Sequence, residues 1–516
     1  MMKLAVIFES SPFDRKGLFN AVHNRVKHLL QTGECTIDVY CVHSRDNALT
    51  RRLRHTPSVP SVETVTIDGI EYRMMWYRFS ILDHVLLEKL HVRPWLFRRF
   101  MTAHVEVLKG YDAVMAHSFT GALFAHKAHE LYGVPYYVTW HGSDVHTHPW
   151  RVPVILEDTK IVMESARCNF FVSKALLAAS DKITVQARKE VLYNGVSEDF
   201  VEFAPAEKTA ARERYGLTPE DRVVAFVGNL VPVKNVMALP ELFAKIASGY
   251  SERLETGPGM VTGPDMVTGP GMETGPGMGT GSGMETGPGM ETGSDMGTGS
   301  GMETGSDMGT GSGMVTGLGM ETGSGMVTGS GMETGSGMGT GSDLGSLKFW
   351  VVGDGKLRSA LESAFSDSSS VRIRFFGNVP PADMPAIMNC VDLLVIPSLN
   401  EGLPLVCAEA LRCGANVVGS DVGGIAEVIG TENVAPLGDG FTDALAAKAV
   451  SYLTARAACM TSDHSVAPQA LSHLSARSVP ATSDPDSVPG AHRQSLSEDF
   501  SWSRTAAREL DFLIEL

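Results

Sequence analysis

Two carboxylates around a proline-led turn are the residues of this chain best arranged to do chemistry. Glu401 and Glu409 stand eight positions apart in Ser398-Leu-Asn-Glu-Gly-Leu-Pro-Leu-Val-Cys-Ala-Glu409, and Gly423-Gly-Ile-Ala-Glu427 follows. Pro404 occupies an expected first helical position, where its missing N–H costs nothing. The free amides of the turn, from Gly402 and Leu403 through Leu405 and Val406, then face forward with the positive end of the helix dipole. A diphosphate can dock there without a lysine. Glu409 lies about five residues into the helix, roughly 7.5 Å from its start at ~1.5 Å per residue. That places it to bind hydroxyls beside the anion, while Glu401, ahead of the helix, can face the sugar end. An isolated carboxylate pair is ordinarily solvated. The Gly-Leu-Pro between these two, the strand before and the Gly-Gly after set them apart, and the layout suits a sugar nucleotide.

Two further side chains complement the pair. Lys234 follows Gly228-Asn-Leu in a strand-to-helix turn, where a cation can neutralise the charge of a leaving diphosphate. His141 follows a strand in Trp140-His-Gly-Ser-Asp144; Gly142 lets backbone approach a ligand, and a neutral imidazole can hydrogen-bond a sugar hydroxyl. His141, Asp144, His146 and His148 can also be read as metal ligands, but their spacing in a loop fixes no geometry. No metal site is expected.

These segments, with Leu393-Leu-Val-Ile-Pro-Ser398 before the carboxylates, resemble the retaining glycosyltransferases of family four, which have the GT-B fold. The resemblance extends to Val227-Gly-Asn-Leu-Val-Pro-Val-Lys-Asn235, Val351-Val-Gly-Asp-Gly-Lys-Leu357, Val172-Ser-Lys174 and Tyr193-Asn-Gly-Val196, spanning residues 3–455 apart from one insert. It implies that Glu409 binds ribose hydroxyls, that Glu401 contacts the donor sugar, that amides near Gly402–Val406 approach the donor phosphates, and that His141 contacts a sugar. Gly17, Asn229 and Gly353 are expected to line the same nucleotide-sugar site. Two positions depart from the family pattern. Asn229 stands where arginine is common, which puts a two-cation site in doubt, and Gly17 is single where a Gly-Gly pair is frequent.

The elements that must position these residues alternate. Lys3–Phe8, Thr36–Val42, Asp112–His117, Val134–Trp140, Asn169–Val172 and Glu190–Tyr193 read as strands; Gly17–Leu30 and Phe119–Leu131 have helical spacing. A second series runs through Arg222–Gly228, Leu347–Gly353, Arg372–Gly377, Leu393–Pro397 and Asn416–Ser420. Alternation of this kind predicts two parallel, doubly wound sheets, with ligands at the carboxyl ends of strands. The fold expected is therefore α/β of the GT-B type. It comprises an N-terminal Rossmann-like acceptor-binding domain over 1–203 and a nucleotide-sugar-binding domain over 204–255 and 346–454.

The 516 residues suit two such domains once a low-complexity tract is set aside. Residues 256–345 are fifteen near-repeats of Thr-Gly-Ser/Pro-Gly/Asp-Met-x. Glycine-rich repeats lack the apolar burial that offsets backbone entropy, so disorder is expected, a Gly-rich β-roll being the alternative. The tract is placed after a helix ending near Ala247. It carries ten of the sixteen net negative charges; the remainder does not suggest nucleic-acid binding. Residues 455–498 read as a linker, and 499–516 as a helix with Phe500, Ala506, Leu510, Leu513 and Leu516 on one face, which in the enzymes it resembles crosses back to the first domain.

Seven scattered cysteines without CxxC indicate free thiols in a reducing cytosol. The apolar start is too short for a signal peptide, and no run approaches the ~20 apolar residues of a membrane span. Val92-Arg-Pro-Trp-Leu-Phe-Arg-Arg-Phe100 and Arg51-Arg-Leu-Arg54 interleave cations with apolar residues, so peripheral contact with an anionic membrane stays open beside a solvated face. The expected activity is transfer of a sugar from a nucleoside diphosphate sugar, without metal or other cofactor, to a hydroxyl acceptor such as a glycan or lipid-linked glycan. A sugar-nucleotide epimerase and a non-catalytic sugar-binding scaffold are the alternatives. Sugar-nucleotide hydrolysis separates enzyme from scaffold, and transfer separates transferase from epimerase.

Overall fold

In the computed structural model the described residues are 1–13, 17–44, 62–77, 81–256, 346–367, 371, 373–461 and 500–515, with five short strand pieces between 314 and 339. Arg51–Arg54, named above, lie outside them.

The first domain is built on an eight-stranded sheet. Its strands are β1 (Met2–Glu9), β2 (Cys35–Ser44), β3 (Thr64–Ile67), β4 (Ile70–Tyr77), β5 (Ala113–His117), β6 (Tyr136–Trp140), β7 (Cys168–Phe171) and β8 (Lys189–Val191). Their order is β3-β4-β2-β1-β5-β6-β7-β8, and only the β3–β4 pair is antiparallel. Helices cover both faces, so the strands read as unbroken apolar runs: Leu4 through Phe8 of β1 are each 0% exposed. Helix α1 (Gly17–Gln31) buries Phe19, Val22, Val26 and Leu29 against one face. Helix α2 (Trp95–His104) buries none of its residues. Helix α3 (Lys174–Ser180) starts just after β7.

The second domain is a six-stranded, all-parallel sheet of β9 (Arg222–Val227), β10 (Leu347–Val352), β11 (Ile373–Gly377), β12 (Leu393–Ile396), β13 (Asn416–Ser420) and β14 (Val434–Ala435). The order is β11-β10-β9-β12-β13-β14. Helices α4 (Leu405–Arg412) and α5 (Ile425–Ile429) follow β12 and β13. Two Rossmann-like sheets are thus present, as the alternation predicted.

Several details differ from the sequence expectation. The β3–β4 hairpin was not anticipated; Asp68-Gly69, both at positive φ, is its turn and was the available signal. The helix expected to end near Ala247 runs from Leu239 to Thr256, so it reaches the repeat tract directly. The helix Phe441–Thr461 continues past the expected linker start at 455. Within the tract, Met314–Thr316, Met326–Thr328 and Met338–Gly339 pair in parallel, as do Met320–Glu321 and Met332–Glu333. The offset is two hexads. The rest of the tract lies outside the described residues.

The final helix α6 (Trp502–Ile514) returns to the first domain and packs on α1. Phe500, Ala506, Leu510 and Leu513 are buried, as the pattern predicted; Leu516 lies outside the described residues. Gly195 makes room for the crossing, since a Cβ there would lie 2.2 Å from the Trp502 nitrogen. Arg25 of α1 and Glu509 of α6, each 1% exposed, form an ion pair at 3.2 Å. Arg25 also donates to the Thr139 hydroxyl at 2.9 Å and the Asn194 side-chain Oδ1 at 3.1 Å. The sequence reading missed Arg25, whose only signal was a cation on an otherwise apolar helix face.

Candidate active site

In the second sheet β9 has β10 on one side and β12 on the other. This is the switch point of a doubly wound sheet, where loops leaving adjacent strands diverge and a ligand crevice opens. From β9 the chain passes Gly228 and Asn229 into the turn Pro232–Lys234, which Asn235 ends in the left-handed region at φ +51°. From β12 it passes through Ser398 to Glu401. The Leu399 N–H donates to the Val233 carbonyl at 2.8 Å, tying the two loops together.

That tie brings Lys234 and Glu401 into contact. The lysine Nζ lies 2.5 Å from Glu401 Oε1, with the side chains 25% and 10% exposed. The Ser398 hydroxyl donates to the same oxygen at 2.7 Å. Asn229, where the resemblance leads one to expect a cation, is exposed, and its side chain has no hydrogen-bond partner among the described residues. Gly353 has a packing role: at φ +125°, its Cβ would lie 2.0 Å from the Gly228 carbonyl oxygen.

Pro404 is not the first helical residue. It precedes Leu405 with extended backbone, φ −77° and ψ 95°. The consequence for the turn is unchanged, because the amides of Leu405 and Val406 have no backbone acceptor among the described residues. Leu403 is buried, and Gly402, Leu405 and Val406 are half-buried. Glu409, on the same helix, is half-buried and has no hydrogen-bond partner among the described residues. Burial raises its carboxyl to about 7. Such a carboxylate gains from any hydroxyls that come to it.

The first domain contributes from the ends of β5 and β6, which are adjacent and parallel. His141 Nε2 lies 3.1 Å from Nδ1 of His117. His117 is fully buried, and its Nε2 has no partner among the described residues. Burial, with the Arg25 charge behind it, lowers His141 to about 3 and pushes His117 down as well. Both rings are therefore neutral. The Asp144 carboxylate accepts the backbone N–H of Gly142 at 2.8 Å and of His141 at 3.1 Å, fixing the loop; burial raises it to about 6. Among the described residues no group of three or more His, Cys, Asp or Glu could hold a metal ion. His117 was not singled out from sequence; its position at the carboxyl end of a central strand was the signal.

The two halves meet at backbone contact. A Cβ on Gly402 would lie 2.1 Å from the His141 carbonyl oxygen, and one on Gly142 would lie 3.3 Å from Gly402 Cα. Only glycines at both positions permit this approach, which sets His141 against the Glu401–Gly402 turn. Gly17 opens α1, is exposed, and would have no atom within 4 Å of a Cβ. The six cysteines with described surroundings are free and buried, and among the described residues no helix is long and apolar enough to cross a membrane.

Residues 341–455 match the family model described as glycosyl transferases group 1. The chain is 36% identical over 83 residues to the 2-deoxystreptamine glucosyltransferase of Streptomyces kanamyceticus, covering 16% of this chain and 21% of that one. To the D-inositol 3-phosphate glycosyltransferase of Salinispora arenicola it is 34% identical over 93 residues, 18% of this chain and 21% of the relative. These alignments span about a fifth of the length of the curated relatives. Among solved structures, Anabaena HepE in complex with UDP and glucose is similar with a TM-score of 0.55 at 14% identity, covering 100% of both chains. Sucrose-phosphate synthase of Thermosynechococcus elongatus gives 0.59 at 15% identity, covering 100% of this chain and 99% of that one. The fold is GT-B, two Rossmann-like α/β domains facing across a cleft.

Proposed function

We propose that this chain is a retaining glycosyltransferase of the family-four kind, moving a sugar from a nucleoside diphosphate sugar to a hydroxyl of a glycan or lipid-linked glycan. The observation that carries the reading is the convergence, at one switch point, of the Leu405 and Val406 amides and the Glu409 carboxylate, none with a partner among the described residues, and the Lys234–Glu401 pair, with His141 opposite. In this reading Glu409 takes the ribose hydroxyls, exchanging a half-buried carboxylate for a hydrogen-bonded one. The diphosphate lies over the first turn of α4, where two free amides and the helix dipole meet it.

Lys234 is the cation that steadies the leaving diphosphate. Its pairing with Glu401 holds it in place beforehand, so little reorganisation is needed as charge develops. Glu401 and the neutral His141 hydrogen-bond the donor sugar from opposite sides, and closure over them excludes water. Because amides and Lys234 carry the phosphate charge, the reaction needs no metal and no cofactor besides the donor. Anabaena HepE was solved with UDP and glucose, which makes UDP-glucose the first donor to try.

The acceptor side is the first domain, and a cytosolic protein working at the inner face of a membrane fits its surface. Helix α2 exposes Trp95 at 62%, with the Arg99 guanidinium 5.7 Å from the ring centroid, a composition suited to an anionic lipid interface. The test is product analysis with EDTA present: nucleoside diphosphate should appear in step with a glycoside keeping the donor's anomeric configuration by proton NMR. Inversion, or activity abolished by EDTA and restored by Mg²⁺, would reject the mechanism.

A further inference from the structure

Three motifs with no role in the chemistry above converge at one point between the domains. The Glu427 carboxylate, at the end of Gly423-Gly-Ile-Ala-Glu427 in the second domain, accepts the backbone N–H of Lys174 at 2.9 Å through Oε2 and of Ala175 at 2.8 Å through Oε1. The Tyr193 hydroxyl donates to Oε2 at 3.0 Å. Lys174 and Ala175 are the first two residues of α3, and the third free amide of that turn, Leu176, is satisfied within its own domain by the Ser173 hydroxyl at 3.1 Å. A helix start leaves its first amides without intrahelical partners. Here two of them are capped by a carboxylate from the other domain, with charge-assisted bonds and the helix dipole acting together.

The same loop touches the donor turn. The Gly424 N–H donates to the Gly402 carbonyl at 2.9 Å, and a Cβ on Gly423 would lie 1.9 Å from the Glu401 carbonyl oxygen. A Cβ on Gly424 would meet Ser173 Cβ at 2.9 Å as well as the Gly402 carbonyl oxygen at 2.6 Å. One short segment thus packs on the turn carrying Glu401 at one end and grips α3 of the first domain at the other.

We propose that Glu427 is a domain-closure latch. It binds the first turn of α3 when the cleft is shut and couples the arrangement of the Glu401–Gly402 turn to the placement of the His141 domain. Glu427 touches no reacting group in this arrangement and is a positioning residue. When the domains part, the Lys174 and Ala175 amides lose their acceptors together, so the closed state is favoured by the carboxylate as a bidentate unit. Glutamine, with one carbonyl oxygen, can serve only one of the two amides well. The kinetic consequence rests on the glycosyltransferase reading; the latch itself does not.

Amide hydrogen exchange on the full chain tests it. In Glu427→Ala the Lys174 and Ala175 amides should exchange at least about tenfold faster than in wild type, with Glu427→Gln intermediate, while β5 amides keep their protection. A tenfold shift corresponds to about 1.4 kcal/mol of closed-state preference. UDP added to wild type should slow exchange at 174–175 further, and should do so less in Glu427→Ala. Unchanged exchange at 174–175 in Glu427→Ala overturns the latch. Steady-state turnover of UDP-glucose supplies the second arm, with kcat falling less in Glu427→Gln than in Glu427→Ala and the UDP Kd staying within about twofold. A tenfold weaker UDP Kd with unchanged kcat would make Glu427 a binding residue and contradict positioning. If wild type binds no nucleotide, the glycosyltransferase reading fails, and the ligand-free exchange comparison alone decides the latch.

Discussion

Lys234 and Glu401, brought together from the loops after two neighbouring strands, form an ion pair at 2.5 Å at the switch point of the second sheet. The pair sets the lysine in place before any donor arrives. It also means that removing the lysine leaves a largely buried carboxylate held, among the described residues, only by the Ser398 hydroxyl.

Lys234→Ala should therefore do two things. Turnover should fall by roughly 10²–10³, the scale of removing one preorganised transition-state donor. Stability should fall by about 1–3 kcal/mol, because Glu401 loses its partner. Steady-state kinetics and urea unfolding measure them separately. Lys234→Met/Glu401→Leu should regain much of the stability and none of the turnover.

Glu409 predicts a trade between stability and binding. Its folded-state carboxyl, raised to about 7 from 4.5 by burial, is protonated where the unfolded chain is already ionised. The stability it contributes is full below about pH 4.5 and is lost as pH rises through 7. Glu409→Gln, uncharged throughout, should thus gain on wild type by about 1–3 kcal/mol between those limits. The gain should appear as a growing difference in unfolding midpoint from pH 4.5 to 7.5. Nucleotide binding by wild type at pH 6.5 should release protons, since hydroxyls favour the ionised form. Calorimetry in buffers of different ionisation enthalpy reads this.

His141, lowered to about 3 by burial and the Arg25 charge, should be neutral throughout the working range. A histidine of lowered folded pKa contributes stability that is full above about 6.5 and is lost as pH falls towards 3. The pH–rate profile should accordingly show no limb near 6.5 from this ring. A limb at 6–7 that disappears in His141→Asn would contradict its assignment as a neutral hydrogen-bonding group.

The buried Arg25–Glu509 pair should hold the final helix to the first domain. Glu509→Ala leaves a 1%-exposed guanidinium without its counter-charge, a change worth about 3–5 kcal/mol. Arg25→Met/Glu509→Leu should be much less harmful. Thermal melts of the three proteins check the order.

The sheets were legible because parallel strands buried on both faces write continuous apolar runs, as in Leu4–Phe8, and because glycines such as Gly142 and Gly353 mark turns where backbone approaches backbone. Glu401, Glu409 and Lys234 could be picked out by their fixed distance from strand ends. What could not be read was partnership across the chain. Nothing local in Lys234 reveals that it pairs with Glu401, and nothing in Glu427 that its acceptors' donors lie at Lys174 and Ala175. Arg25 and His117 were missed for the same reason: a polar group inside an apolar pattern gains meaning only from distant residues. Asn235, which ends the Lys234 turn at positive φ, and the Asp68-Gly69 hairpin were visible as residue types, but only the folded backbone gave them a function.

The most direct test is calorimetric titration of the full chain with UDP, GDP and ADP in EDTA, for wild type and Glu409→Ala. One of these nucleotides should bind wild type, and the substitution should weaken it by roughly 1.5–3 kcal/mol, at least tenfold, in a protein that remains folded. If no nucleotide binds, or if Glu409→Ala binds as tightly as wild type, the cleft is not the nucleotide-sugar site described.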